Sequence, residues 1–257
     1  PDNVLNHQFI ALQIATAHFQ RGRYDDAERL IAAWNLEKSL EGQILLARGD
    51  WERGYTELAI TRLERELTRY PKRDEIYLEL VRYHRELGHL AEARRYALLR
   101  QFNDPASPGP RIDLLHAFHA SGDTVARNRE LEAYLTAFDT DAQALQLLAW
   151  FAVDTAQPAL ALRVFELARD RQFALASFTL ARVQTALGAQ DYRGALEIAD
   201  AGVRVAGADN ERVTSLLNAL RAIALIGLKD HAHGESLLGS FLNEANLRAA
   251  DALLLAR

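Results

Sequence analysis

His116 and His119, in the string HAFH, lie one helical turn apart and could point at one metal ion, and His231 and His233 flank a turn. Structural and catalytic zinc sites recruit three or four protein ligands, and neither pair has a carboxylate or cysteine at a spacing that completes the set. The expectation is therefore no metal and no cofactor, with His116 and His119 on a surface wall. Signatures of covalent or phosphate chemistry are missing: no Gly-x-Ser-x-Gly elbow, no phosphate loop ending in Gly-Lys-Ser/Thr, no His-Glu-x-x-His and no cysteine. Asp25 and Asp26 are adjacent carboxylates, but they open a helical stretch, where acidic side chains meet the positive end of the helix dipole. The residue types point to a binding protein, not an enzyme.

The elements that would carry these residues are short helices. In DEIYLELVRYHRELGHLAEARRYALLRQFNDP, from Asp74 to Pro105, Tyr77, Leu80, Val81 and His84 fall at i, i+3, i+4 and i+7, one stripe of a helix. That spacing leaves Glu79, Arg82, Arg85 and Glu86 mostly on other faces. Gly88 can take the left-handed conformation that ends a helix. Leu90, Ala93 and Ala97 start a second helix, and the small Ala93 lets the two approach closely. Pro105 closes the unit. The unit recurs: Gly22, Gly54, Gly88 and Gly122 are spaced by 32, 34 and 34 residues, and Ala27, Ala59, Ala93, Ala161 and Ala195 keep the same beat.

The strings GRYDDAERLI, GYTELAITRL and GHLAEARRYA resemble the turn and second helix of the tetratricopeptide repeat, and the resemblance extends over nearly the whole chain. It implies an all-α fold, a right-handed superhelical solenoid of antiparallel helix pairs, as a single domain over 1–257. The expected units are approximately 8–39, 40–73, 74–107, 108–141, 142–173, 174–212 and 213–245, with 246–257 a terminal helix or the start of a further unit. Arg127 stands where the fourth unit should have a small residue, and NDPASPGP, from Asn103 to Pro110, is a looser connection. The fifth turn reads Ala156, Gln157, Pro158 without glycine. The sixth and seventh are expected to carry two extra residues after Gly188 and Gly227, before the small residues Ala195 and Gly234.

The resemblance also implies that first helices line a concave groove. Alignment on the turn glycines puts Thr16, Arg48, Arg82, His116, Trp150, Arg182 and Arg221 in one row, and Trp51, Arg85 and His119 one turn further on. Arg48, Trp51, Arg82, Arg85, His116, His119, Trp150, Arg182 and Arg221 are therefore the candidate partner-binding residues. Arginines would fork carboxylates and tryptophans would stack, so the expected partner is an acidic or aromatic-bearing peptide or helix of another protein. The opposing interpretation is a solvated arginine face neutralised by neighbours such as Glu52 and Glu86, with the arginine stems packed on the next unit. A ligand-sensing domain of a larger regulator, or a scaffold in periplasmic secretion or polysaccharide export, is the alternative function.

The net charge of −5 over 257 residues lacks the concentrated basic surface that nucleic-acid binding needs. No apolar run reaches the roughly 18 residues of a membrane span. The sequence leaves the compartment open between the cytoplasm and, after a removed leader, the periplasm. Leu253, Leu254 and Leu255 at the C-terminal end offer a route to a homo-oligomer.

Overall fold

A computed structural model describes residues 2–206 and 210–242, and among them every regular element is helical. Fourteen α-helices follow one another, joined two by two through short turns: α1 (Asp2–Gln20) and α2 (Tyr24–Ala33), α3 (Leu40–Glu52) and α4 (Thr56–Arg69), α5 (Asp74–Glu86) and α6 (Leu90–Asn103), α7 (Pro108–Ala120) and α8 (Thr124–Phe138), α9 (Ala142–Asp154) and α10 (Pro158–Asp170), α11 (Thr179–Gly188) and α12 (Tyr192–Ala206), α13 (Glu211–Gly227) and α14 (His231–Leu242). Short 3-10 turns at Leu36–Lys38 and Leu175–Phe178 precede α3 and α11. No helix among the described residues is long and apolar enough to cross a membrane. The terminal segment 246–257, with Leu253, Leu254 and Leu255, lies outside the described residues.

The chain forms two compact units, 1–124 and 125–257, divided at the start of α8. Within the first, α1 packs on α2, α3 on α4, α5 on α6 and α6 on α7; within the second, α9 packs on α10, and α11 to α14 pack in succession.

Each hairpin turns through one left-handed residue. Gly22, Gly54, Gly88 and Gly122 have φ between 70° and 85°. The following residue donates its N–H back to the helix, as His89 does to the His84 carbonyl at 2.8 Å, which satisfies carbonyls that the helix end would otherwise leave open. The fifth turn uses Ala156 itself at φ 50°, while its Pro158 is the first residue of α10.

The sixth and seventh turns correct the sequence reading. Helices α11 and α13 run through Gly188 and Gly227, and the left-handed residues are Gln190 (φ 59°) and Lys229 (φ 68°), two positions later. There are no extra residues in these turns. Counted from the left-handed residue, the small side chain follows at the fifth position in every hairpin but the fourth: Ala27, Ala59, Ala93, Ala161, Ala195 and Gly234, all buried. Seven positions before the turn stand Ala15, Ala47, Val81, Leu115, Ala149, Val183 and Ala222, none more than 2% exposed. Gly227 serves a close approach instead of a turn, because a Cβ there would sit 2.3 Å from the Tyr192 ring.

Candidate functional site

In the first unit, α3 and α5 bring Arg48, Trp51 and Arg82 together, with Arg85 one turn further along α5. Arg48, Trp51, Arg82 and Arg85 are all half-buried, so their side chains belong neither to the core nor fully to solvent. The organiser of this cluster is Glu79, which the helical stripe had placed on an outer face and which is only 5% exposed. Its Oε1 accepts from Arg48 Nε at 2.7 Å, with Arg48 Nη2 at 2.6 Å, and its Oε2 accepts from Arg82 Nη2 at 2.8 Å and Nε at 3.1 Å. One carboxylate thus holds two guanidinium groups from adjacent first helices. Charge-assisted bonds of this length lock long side chains into one rotamer each.

Trp51 lies flat on Tyr83, with ring centroids 4.0 Å apart and planes 2° from parallel, and its indole N–H donates to Glu86 at 3.1 Å. The Arg82 guanidinium sits 4.8 Å from the Tyr83 ring centroid, a cation–π distance. Burial works against the charge of Arg82, but Glu79, with Tyr83 and Glu86 behind it, outweighs burial and raises the guanidinium's pKa. The Tyr83 hydroxyl is driven upward by burial first and by Glu79 second. Both shifts keep Arg82 charged and Tyr83 neutral at neutral pH, and Glu52, 4.0 Å from Arg82, adds further acid to the edge of the cluster. Arg48 and Arg82 are matched by carboxylates.

His116 and His119 are half-buried on α7, and Trp150 is half-buried on α9 in the second unit. Among the described residues no three His, Cys, Asp or Glu side chains converge as a metal would require. His233 Nδ1 lies 2.8 Å from Asp230.

Arg182 and Arg221 stand apart from this row. Counted from Gln190 and Lys229, the positions equivalent to Arg82 are Gln184 and Ile223. Arg182 and Arg221 instead occupy the register of Leu80, Leu114 and Leu148, which are no more than 1% exposed. Arg221 resolves this with an ion pair to Asp200, Nε to Oδ1 2.6 Å, and a bond to Asn218. Arg182 makes no hydrogen bond or ion pair among the described residues and lines a cavity of about 630 Å³.

That cavity exists because α11 is short. It has 10 residues, against 15 in α12 and 17 in α13, and the 3-10 turn before it occupies the place of a first helical turn. The C-terminal part of α12 and the N-terminal part of α13 overhang the gap with Ile198, Ala201, Val205, Val213 and Leu217. Gly202 forms the close contact beside it: a Cβ there would lie 2.6 Å from Thr179 Cγ2 and 2.9 Å from Leu217 Cδ1. Gln146 of α9 donates to the Ser177 carbonyl at 2.6 Å and fixes the other side.

No protein-family model matches the chain, and no curated protein matches it. Among solved structures, a tetratricopeptide repeat protein from Parabacteroides merdae ATCC 43184 superposes with a TM-score of 0.57 at 13% identity, covering 96% of each chain. The APC/C hetero-tetramer Cut9-Hcn1 matches at 17% identity over 96% of this chain and 55% of that one, with a TM-score of 0.39, too low to bear on the fold. The Parabacteroides likeness is one of fold, and it agrees with the succession of hairpins, the left-handed turns and the buried small residue five positions on: the chain has the tetratricopeptide-repeat fold.

Proposed function

We propose that the chain is a non-catalytic interaction scaffold that holds an acidic or aromatic-bearing segment of a partner protein against the first-helix row of its first unit. The observation that supports this reading is the prearranged stack of Trp51, Tyr83 and Arg82 on α5 and α3. Trp, Tyr and Arg are the side chains that dominate interface energetics. Here they are already held in one geometry by Glu79 and Glu86, so a partner would not have to order them. Trp51 and Arg82 are half-buried and keep surface to offer, while Tyr83, fully buried, backs them. With Glu79 matching Arg48 and Arg82, stacking on Trp51 and hydrogen bonds to the outer guanidinium edges carry more of the recognition than net charge does.

A photo-crosslinking side chain placed at Arg85, in the row, and at Leu58, exposed on α4, tests this in lysate of the source cells. The expected result is a discrete crosslinked protein from position 85 that disappears when Trp51→Ala is added, and none from position 58. Crosslinks from position 58 alone, or a position-85 adduct indifferent to Trp51→Ala, would overturn it.

A further inference from the structure

The cavity of the second unit has an apolar wall and two charged side chains that the protein leaves unmatched. Arg182 is half-buried and Glu197 exposed; both line the cavity, and neither has a hydrogen bond or ion pair among the described residues. Four other inward arginines are paired, although among the described residues Arg85 on α5, like Arg182, is not. Arg48 and Arg82 share Glu79, Arg221 holds Asp200, and Arg100 is forked by Asp74 at 2.6 and 2.7 Å and bonded to Asp113. A guanidinium that has lost part of its hydration recovers the loss by pairing. Arg182, in a register that holds leucine at Leu46, Leu80, Leu114 and Leu148, has not done so.

We propose that this cavity binds a short apolar peptide with both ends free. Its terminal carboxylate accepts the fork of Arg182, its terminal ammonium donates to Glu197, and its side chains lie on Ile198, Ala201, Val205, Val213 and Leu217. The volume, about 630 Å³, falls within the roughly 300–1,000 Å³ of sites that enclose small ligands. Charge complementarity selects the class. An internal acidic segment would set like charge beside Glu197, and a fatty acid would leave Glu197 without a counter-charge. Only a ligand with opposite charges on an apolar body answers both side chains. This site is separate from the Trp51 cluster, so either can fail without the other.

The test is calorimetric titration of the full chain with leucyl-valyl-leucine, its N-acetyl form and its C-terminal amide. The free peptide is expected to bind, and blocking either end is expected to weaken it about tenfold, the factor that corresponds to 1.4 kcal/mol. Arg182→Gln should erase the difference between free and amidated peptide, and Glu197→Gln that between free and acetylated peptide, with melting temperatures unchanged. No binding of the free peptide at millimolar concentration, or equal binding of the blocked forms, would refute the assignment. Dodecanoate binding that needs Arg182 but ignores Glu197 would replace it with a simple amphiphilic anion.

Discussion

Replacing Glu79 with Gln tests whether one carboxylate organises the first-unit cluster. The amide keeps the shape of the side chain and removes its charge, leaving Arg48 and Arg82 facing each other across a neutral group. Four contacts of 2.6 to 3.1 Å are affected. Uncoupling a fully buried ion pair costs about 3–5 kcal/mol. The arginine side chains are each 35% exposed, so water screens part of the repulsion, and the amide oxygen can still accept one bond. The expected loss is about 2 kcal/mol, which for a unit of this size lowers the melting temperature by about 6–10 °C. Circular dichroism melts of wild type, Glu79→Gln, Arg82→Gln and the double variant measure it, and the cycle should show a coupling of about 1 kcal/mol. A Glu79→Gln protein that melts within a degree of wild type, with additive effects in the cycle, would show that the carboxylate is incidental.

The left-handed turns predict the opposite sign. Ala156 and Gln190 carry positive φ at a steric cost of about 1–2 kcal/mol each, so Ala156→Gly and Gln190→Gly should raise the urea midpoint by the equivalent of about 0.5–1 kcal/mol once the greater freedom of unfolded glycine is subtracted. A lowered midpoint for both would contradict the turn geometry. His84 predicts a pH dependence. It is 7% exposed with neither ring nitrogen bonded, stacked on Tyr96 and near His89, and burial first, then His89 and Arg95, hold its pKa below the ordinary 6.5 against the pull of Glu64 and Glu92. The folded state favours the neutral ring, so its contribution is intact above pH 6.5 and is lost as pH falls through 6.5 toward the lower folded pKa. Denaturant titrations at pH 7 and pH 5 should show a steeper loss for wild type than for His84→Phe, and equal losses would exclude this cause.

Much of the fold was legible because helix pairing depends on local signals. A glycine with a small residue five positions later marks a turn and a close helix contact, and both are readable within one hairpin. The sixth and seventh turns went astray because Gly188 and Gly227 look like the signal while Gln190 and Lys229 do the turning; the constant spacing to Ala195 and Gly234 was the better guide. That two-residue shift also split Arg182 and Arg221 from the row of Arg48 and Arg82. Glu79 was missed for a different reason. Helical periodicity ranks faces by apolarity and has no means of seeing that Arg48, on another helix, turns a carboxylate inward. The cavity was hidden likewise, since it follows from the unequal lengths of α11, α12 and α13.

Several of the bonds that tie successive hairpins together reach about one repeat along the chain. Arg48 and Glu79 are 31 residues apart, Tyr96 and Glu64 32, Trp51 and Glu86 35, and in the second unit Gln146 and Ser177 31 and Arg163 and Glu132 31. Loop-closure entropy rises only logarithmically with the number of residues closed, and here that number stays the same from one hairpin to the next. No step of assembly has to wait for distant segments to meet. Structure can begin at whichever hairpin forms first within a unit and spread to its neighbours on either side, as in a one-dimensional lattice, and it can come apart the same way from a weak hairpin outward.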